Sequence, residues 1–200
     1  MPYRRELRSL RGKVKRVIGV DVDRVVLENP LLDEAHVLSG DEIPLAESSV
    51  DLVLADYVFE HLENPTLTAR EIARVLKPGG WLCARTPNRW GYIGLVSSLI
   101  PDSHQTWLVW KAQGSARSRE DIFPTRYRLN SVSALEEHFP ASDFENYTYG
   151  YNPEPAYFGT SQRINGLARY ALELLPERFS AILMVFIRKH GVQEKAASPK

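Results

Sequence analysis

The chain has little cysteine, no surplus of either charge and no long apolar run. Its single cysteine, Cys83, excludes an intrachain disulfide and a cysteine-built zinc site. Lys and Arg total 25 and so do Asp and Glu. That balance excludes a generally basic nucleic-acid-binding coat and an acidic disordered chain. The longest nearly unbroken apolar run covers 179–187. It falls well short of the roughly 20 residues that cross a bilayer as a helix. The basic start is followed by no apolar stretch with a small-residue cleavage site, so no secretory leader is read. The expectation is a soluble, cytoplasmic α/β domain over 1–192, with a frayed polar tail at 193–200.

Enough apolar material is present for a core, at 44% of 200 residues. The zero net charge hides a split. Residues 1–20 hold seven bases against Glu6, a net of +6, whereas residues 21–60 hold eleven acids against Arg24, a net of −10. An acidic block of that length suits a cationic or hydroxyl-rich ligand, although solubility alone also accounts for it.

Residues 4–11 can form a short helix. The β-branched run VKRVIGVD (14–21) and the segment VDLVLADY (50–57) read as buried strands. A helical turn at 24–28 is stopped by Asn29-Pro30, and a short strand at 35–38 is closed by Ser39-Gly40-Asp41. The clearest helix follows Asn64, a capping residue, with Pro65 in its first turn. Ala69, Ile72, Ala73 and Leu76 mark its buried face, Lys77 falls in its last turn, and Pro78-Gly79-Gly80 ends it. A strand at 81–86 comes next. Short helices at 92–100 and 105–111, a polar loop at 114–121, a helix at 131–139 with Ser131 as cap, a strand at 144–151, a helix near 164–175 and a strand at 181–188 complete the rhythm.

Strands alternating with helices predict a Rossmann-like, mostly parallel sheet with helices on both faces. Such sheets bind ligands beyond the carboxyl ends of their strands. The residues at those ends are Asp21, Asp41, 56–61 and 86–90. A carboxylate at Asp21, with Asp23 as the outer alternative, can accept from a ribose diol, or simply form a turn. Asp41 can accept from an exocyclic amine or make an Asx turn.

Three stretches together resemble the class I S-adenosylmethionine-dependent methyltransferases, in particular the small-molecule group called type 11. They are RVIGVDVD (16–23), SGDEIPLAESSVDLVLADYVFEHL (39–62) and REIARVLKPGGWLCARTPN (70–88). The resemblance implies S-adenosylmethionine as cofactor, with Asp21 as ribose acceptor and Asp41 as acceptor of the adenine amine. Glu42 and Ile43 would supply backbone contacts, and Asp56 and Tyr57 would lie by the methionine moiety. His61 is the best candidate for a general base, Glu60 the second, each weighed against local packing. Residues 89–142 would form the variable substrate cap, with Asn88, Trp90, Arg126 and Tyr127 as candidate acceptor contacts and His104, Trp107 and Trp110 nearby. The implied acceptor is a small molecule, a glycan or a lipid-linked group, with no nucleic acid, metal or transmembrane segment. Cys83 reads as an inert thiol within a strand.

One family feature is absent from the sequence. The family opens with a strand ending in a G-x-G-x-G turn, and the ribose acid of related folds follows about 20 residues later. Residues 1–13, MPYRRELRSLRGK, contain no such turn. The expectation is therefore a fold whose first, central strand is missing and whose activity is impaired. Strands 14–21 and 50–57 would then either pair directly or leave a gap. The alternative function is a non-catalytic binding or regulatory module of the same fold. A nicotinamide dehydrogenase ranks below both, because it needs the same glycine turn.

Overall fold

The computed structural model describes residues 9–40, 42–91, 125–153, 170 and 176–191. The strands are β1 (Ile18–Asp21), β2 (Glu34–Val37), β3 (Val50–Asp56), β4 (Leu76–Pro87), β5 (Phe144–Asn146), β6 (Tyr149–Tyr151) and β7 (Ile182–Lys189). The α-helices are α1 (Pro65–Val75) and α2 (Val132–His138), and short 3-10 turns cover Arg24–Glu28, Phe59–His61 and Glu177–Phe179. The elements expected at 92–100, 105–111 and 114–121, that at 164–175 apart from the helical Tyr170, and the tail from 193 lie outside the described residues. The proposed helix at 4–11 does not run through its last residues. Leu10 instead closes a turn, its carbonyl accepting from the Lys13 and Val14 amides.

The strands form two groups. β1 and β2 pair in parallel, from Ile18 opposite Glu34 to Asp21 opposite Val37. The larger sheet runs β3-β4-β7-β5, with β6 also on β7. Only β3 and β4 are parallel within it; β7 is antiparallel to β4, β5 and β6. Among the described residues no ladder joins β1 or β2 to β3, so of the two arrangements open to these strands the direct pairing is not the one adopted.

The mostly parallel expectation therefore holds for β1–β4, and the final third of the chain makes the sheet mixed. The strand expected over 144–151 is two short strands, which pair successive stretches of one edge of β7.

α1 forms as its spacing predicts. Asn64 Oδ1 accepts from the Leu67 amide at 3.2 Å and Pro65 occupies the first turn. Its end differs from expectation. The helix stops at Val75, and Lys77 lies in β4, where its ammonium is 2.8 Å from both carboxylate oxygens of Asp51. Pro78-Gly79-Gly80 is a bulge inside β4 rather than a turn ahead of it. Val50 pairs with Leu76 but Leu52 pairs with Trp81, and Gly79 takes the left-handed φ of 79° that a glycine tolerates. The former helix end is instead held by Lys189, whose ammonium donates to the carbonyls of Ala73 and Leu76.

Burial alternates along β4. Gly80, Leu82, Ala84 and Thr86 are buried while Trp81, Cys83 and Arg85 are half-buried. The buried side continues through Ala55 of β3 and Leu183, Val185 and Ile187 of β7. Ala69 and Ile72 of α1 and Leu135 of α2 cover it, together with Phe139 and Phe144. On the other face Leu52 and Leu54 of β3 are exposed.

Replacement of Leu82, fully buried at the centre of the sheet, by alanine should cost about 2–5 kcal/mol in urea unfolding. The same change at Leu54, 57% exposed one strand away, should cost less than about 1 kcal/mol. Equal losses would contradict this assignment of faces.

Candidate active site

The carboxyl ends of β3 and β4 bring together most of the expected catalytic and acceptor residues. Asp56 ends β3, and its carboxylate takes a two-pronged ion pair from Arg85 of β4, with Nε to Oδ1 at 2.8 Å and Nη2 to Oδ2 at 2.9 Å. The parallel register sets Asp56 opposite Arg85, so strand pairing itself delivers the partner. These bonds to Asp56 push the Arg85 guanidinium further above its already high ordinary value. Arg85 also lies over the Tyr57 ring, 4.8 Å from its centroid. Tyr57 has φ of 57°, the left-handed region in which a bulky residue is strained, and its amide donates to the Arg85 carbonyl at 2.8 Å. Its side chain is 40% exposed. The sequence reading names Asp56 and Tyr57 and misses Arg85, which carries no motif signal of its own.

The next turn, Phe59–His61, sets Glu60 and His61 apart. Glu60 is 4% exposed. Its Oε2 accepts from the Thr86 hydroxyl at 3.0 Å, and Thr86 accepts in turn from Asn130 Nδ2. The Glu60 carbonyl accepts from the amides of Arg126 and Tyr127. Burial pushes the Glu60 carboxyl above its ordinary value, more strongly than the hydrogen bonds and His61 pull it down. Glu60 thus ties three elements: the exit of β3, the end of β4 and the segment before α2. Thr86 and Asn130 are additions that sequence reasoning did not find. His61 is only half-buried.

Other acceptor-side candidates divide. The side-chain amide of Asn88 is fully used inside the fold: Nδ2 donates to the carbonyls of Arg178 and Ser180, and Oδ1 accepts from the Trp90 amide. Asn88 thus holds the 88–91 turn against the segment that leads into β7. Trp90 is 50% exposed beside Arg89. Tyr127 has φ of 51° and is half-buried. Arg126 and Arg128 line an open polar pocket of about 450 Å³ with Glu63 and Asn64. The Arg126 guanidinium stands 3.6 Å from Glu63.

The expected cofactor residues are more scattered. Asp21 is exposed at the end of β1, where Oδ1 accepts from the Asp23 amide at 3.0 Å. Asp23 caps the following 3-10 turn through the Val25 amide at 2.9 Å. Each carboxylate has acceptor capacity beyond that local bond. Asp41 lies outside the described residues. Ile43 is held on both sides by α1: its amide donates to Glu71 Oε2 at 2.9 Å and its carbonyl accepts from Arg74 at 2.8 Å. Its amide is therefore occupied, whereas among the described residues nothing accepts from the Glu42 amide. Cys83 is half-buried in β4, and desolvation raises its thiol, as an inert strand cysteine requires. The residues His104, Trp107 and Trp110 lie outside the described residues. No group of metal-ligating side chains occurs among the described residues.

The exit of β3, the turn after it and the end of β4 lie within or beside the stretch that matches known proteins. Residues 3–84 match the family model described as a methyltransferase domain. This stretch, less than half of the chain, is similar to the class I S-adenosylmethionine-dependent methyltransferase family. A protein of Mycolicibacterium smegmatis named "Probable S-adenosylmethionine-dependent methyltransferase" is 39% identical over 80 residues, covering 38% of this chain and 31% of its own length. A relative of the same designation from Mycobacterium tuberculosis is 37% identical over 79 residues, covering 38% of this chain and 29% of its own. The chain thus spans about three-tenths of the curated relatives that it matches.

Solved structures extend the likeness in fold beyond the matched stretch. A SAM-dependent methyltransferase of Thermotoga maritima superposes with a TM-score of 0.55 at 17% identity, over 87% of this chain and 72% of that one. One from Mesorhizobium loti gives 0.53 at 16%, over 88% and 81%. The fold of this chain is therefore Rossmann-like, and no described helix is long and apolar enough to cross a membrane.

The raised Glu60 carboxyl has a pH consequence. The folded state holds that proton more tightly than the unfolded chain, so Glu60 favours folding at acid pH. Its contribution fades as pH rises from the ordinary glutamate range through the folded value. Glu60→Gln keeps an oxygen for the Thr86 hydroxyl and removes the titration. Its melting temperature relative to the parent should therefore climb between pH 5 and 8. A flat difference across that range would place the Glu60 carboxylate in a solvated setting.

Proposed function

We propose that this chain transfers a methyl group from S-adenosylmethionine to a small-molecule, glycan or lipid-linked acceptor at the carboxyl ends of β1, β3 and β4. The observation that carries this reading is the juxtaposition at the end of β3. A strained, exposed Tyr57 and a half-buried His61 stand on a turn anchored from beneath by Glu60, beside the polar residues of the 126–131 segment. Strand ends of this kind are where such sheets take ligands.

The residues present fit the cofactor in two of its parts. Asp21 offers an exposed carboxylate with acceptor capacity for a ribose diol. The Glu42 amide offers a donor for a ring nitrogen of the base, a contact that the Ile43 amide cannot make while Glu71 holds it. S-adenosylmethionine supplies a methyl group on a cationic sulfur, already activated for in-line displacement. The protein then has to place the acceptor atom in line and take its proton. His61 accepts that proton, imidazole being the side chain matched to neutral pH. Glu60 acts from below, through the carbonyl that fixes Arg126 and Tyr127. Arg85 shapes the floor by holding Asp56 and supporting the Tyr57 ring. Trp90, Arg126 and Tyr127 form the acceptor side, where the two guanidiniums of the Glu63–Arg126–Arg128 pocket suit an anionic or hydroxyl-rich group.

Calorimetric titration with S-adenosylhomocysteine tests the cofactor half. Binding in the micromolar range, about −8 kcal/mol, is expected, with at least about a tenfold loss in Asp21→Ala. A folded chain that binds nothing would favour the non-catalytic module instead. Unchanged affinity in the mutant would remove Asp21 from the site. For the chemical half, His61→Ala should lower kcat by about 100-fold or more while leaving the cofactor affinity intact. Unaltered turnover at every pH would exclude His61 as the base.

A further inference from the structure

The sequence marks the second half of α1 as core packing, yet two of its polar residues are built into the loop ahead of β3. Glu71 and Arg74 form an i, i+3 pair, with Arg74 Nη2 2.7 Å and Nε 2.8 Å from the two Glu71 oxygens. Their side chains are only 16% and 29% exposed. Each then reaches across to the loop. Glu71 Oε2 accepts from the Ile43 amide at 2.9 Å, and Arg74 donates to the Ile43 carbonyl through Nη2 and to the Leu45 carbonyl through Nη1, both at 2.8 Å. The loop carries no helix or strand of its own over 42–49, so these three bonds give its main chain a fixed position. The Ile43 side chain packs on the core cluster and adds a hydrophobic anchor. Hydrogen bonds to Arg74 hold the Glu71 carboxyl below its ordinary value, which keeps it a pure acceptor over the neutral range.

We propose that Glu71 and Arg74 are positioning residues for recognition of the cofactor's base. The pair occupies the Ile43 amide and fixes the loop so that the preceding Glu42 amide is the donor presented to the ring. This rests on the cofactor reading above. Neither side chain touches the ligand; both act through the main chain of Ile43 and Leu45. The planar fork of Arg74 makes four of the bonds in this cluster, a geometry that a lysine ammonium cannot reproduce.

The test uses Arg74→Lys and Glu71→Gln in the full 200-residue chain. Two ligands are titrated: S-adenosylhomocysteine and its hypoxanthine analogue, in which the ring N1 carries a proton and meets the Glu42 amide donor to donor. The parent chain should prefer the adenine ligand by about tenfold or more. Arg74→Lys should lose most of that preference along with affinity for the adenine ligand, and Glu71→Gln should show the same trend more weakly. Amide hydrogen exchange of the ligand-free chain should speed up at Ile43 in both variants, with the protection of β4 and β7 retained. A purely structural role would weaken both ligands equally and leave their ratio unchanged, and that result would overturn the assignment. A parent chain that binds neither ligand would overturn the cofactor reading itself, and this inference with it. A parent that binds with variants that bind and discriminate equally well would overturn the inference alone.

Discussion

Pairing of β4 on both of its edges is the constraint from which the described structure follows. On one side it runs parallel to β3, on the other antiparallel to β7, and its inward residues Leu82 and Ala84 form the middle of the core. Because β4 and β3 are parallel and in register, their carboxyl ends coincide, and Asp56 meets Arg85 as Ala55 meets Ala84. The bulge at 77–80 permits that register while letting α1 end directly into the strand. A chain with a straight β4 in this region would set Asp56 against a different residue, because each added or removed residue shifts every later pair.

The polar layer at the end of β4 depends on the same alternation that buries its core residues. Thr86 points inward as Leu82 and Ala84 do, and so meets Glu60 and Asn130 in a nearly dry setting. A buried carboxylate without partners would be costly there, and the bond from Thr86 together with the raised proton affinity of Glu60 offsets that cost. Tyr57 precedes this layer at the exit of β3, and His61 follows Glu60 in the same short turn. Stability and candidate chemistry are therefore linked through one buried acid.

The loop over 42–46 obeys a different rule. It has no ladder, so a side-chain clamp from α1 takes the role that strand pairing has elsewhere. Polar residues on the flank of an amphipathic helix commonly face solvent. Glu71 and Arg74 instead satisfy three main-chain groups of a neighbouring segment, which is why a periodicity argument passes over them.

Much of this was legible in the residues. Asn64 and Pro65 announced α1, Ser131 announced α2, and the β-branched runs announced β1 and β3, because capping, proline geometry and strand propensity act within a few residues of one another. The family resemblance, resting on local motifs, was readable for the same reason, and so was the position of Asp56, Tyr57 and His61 at a strand exit. Tertiary structure alone decided the rest. That Lys77 pairs with Asp51, that Pro78-Gly79-Gly80 is a bulge, that β7 returns antiparallel, that Arg85 holds Asp56 and that Asn88 is spent within the fold all depend on partners 26 to 107 positions away. Contacts over such separations are fixed by sheet register and by competition for buried hydrogen bonds. Neither quantity is written in the spacing of neighbouring residues.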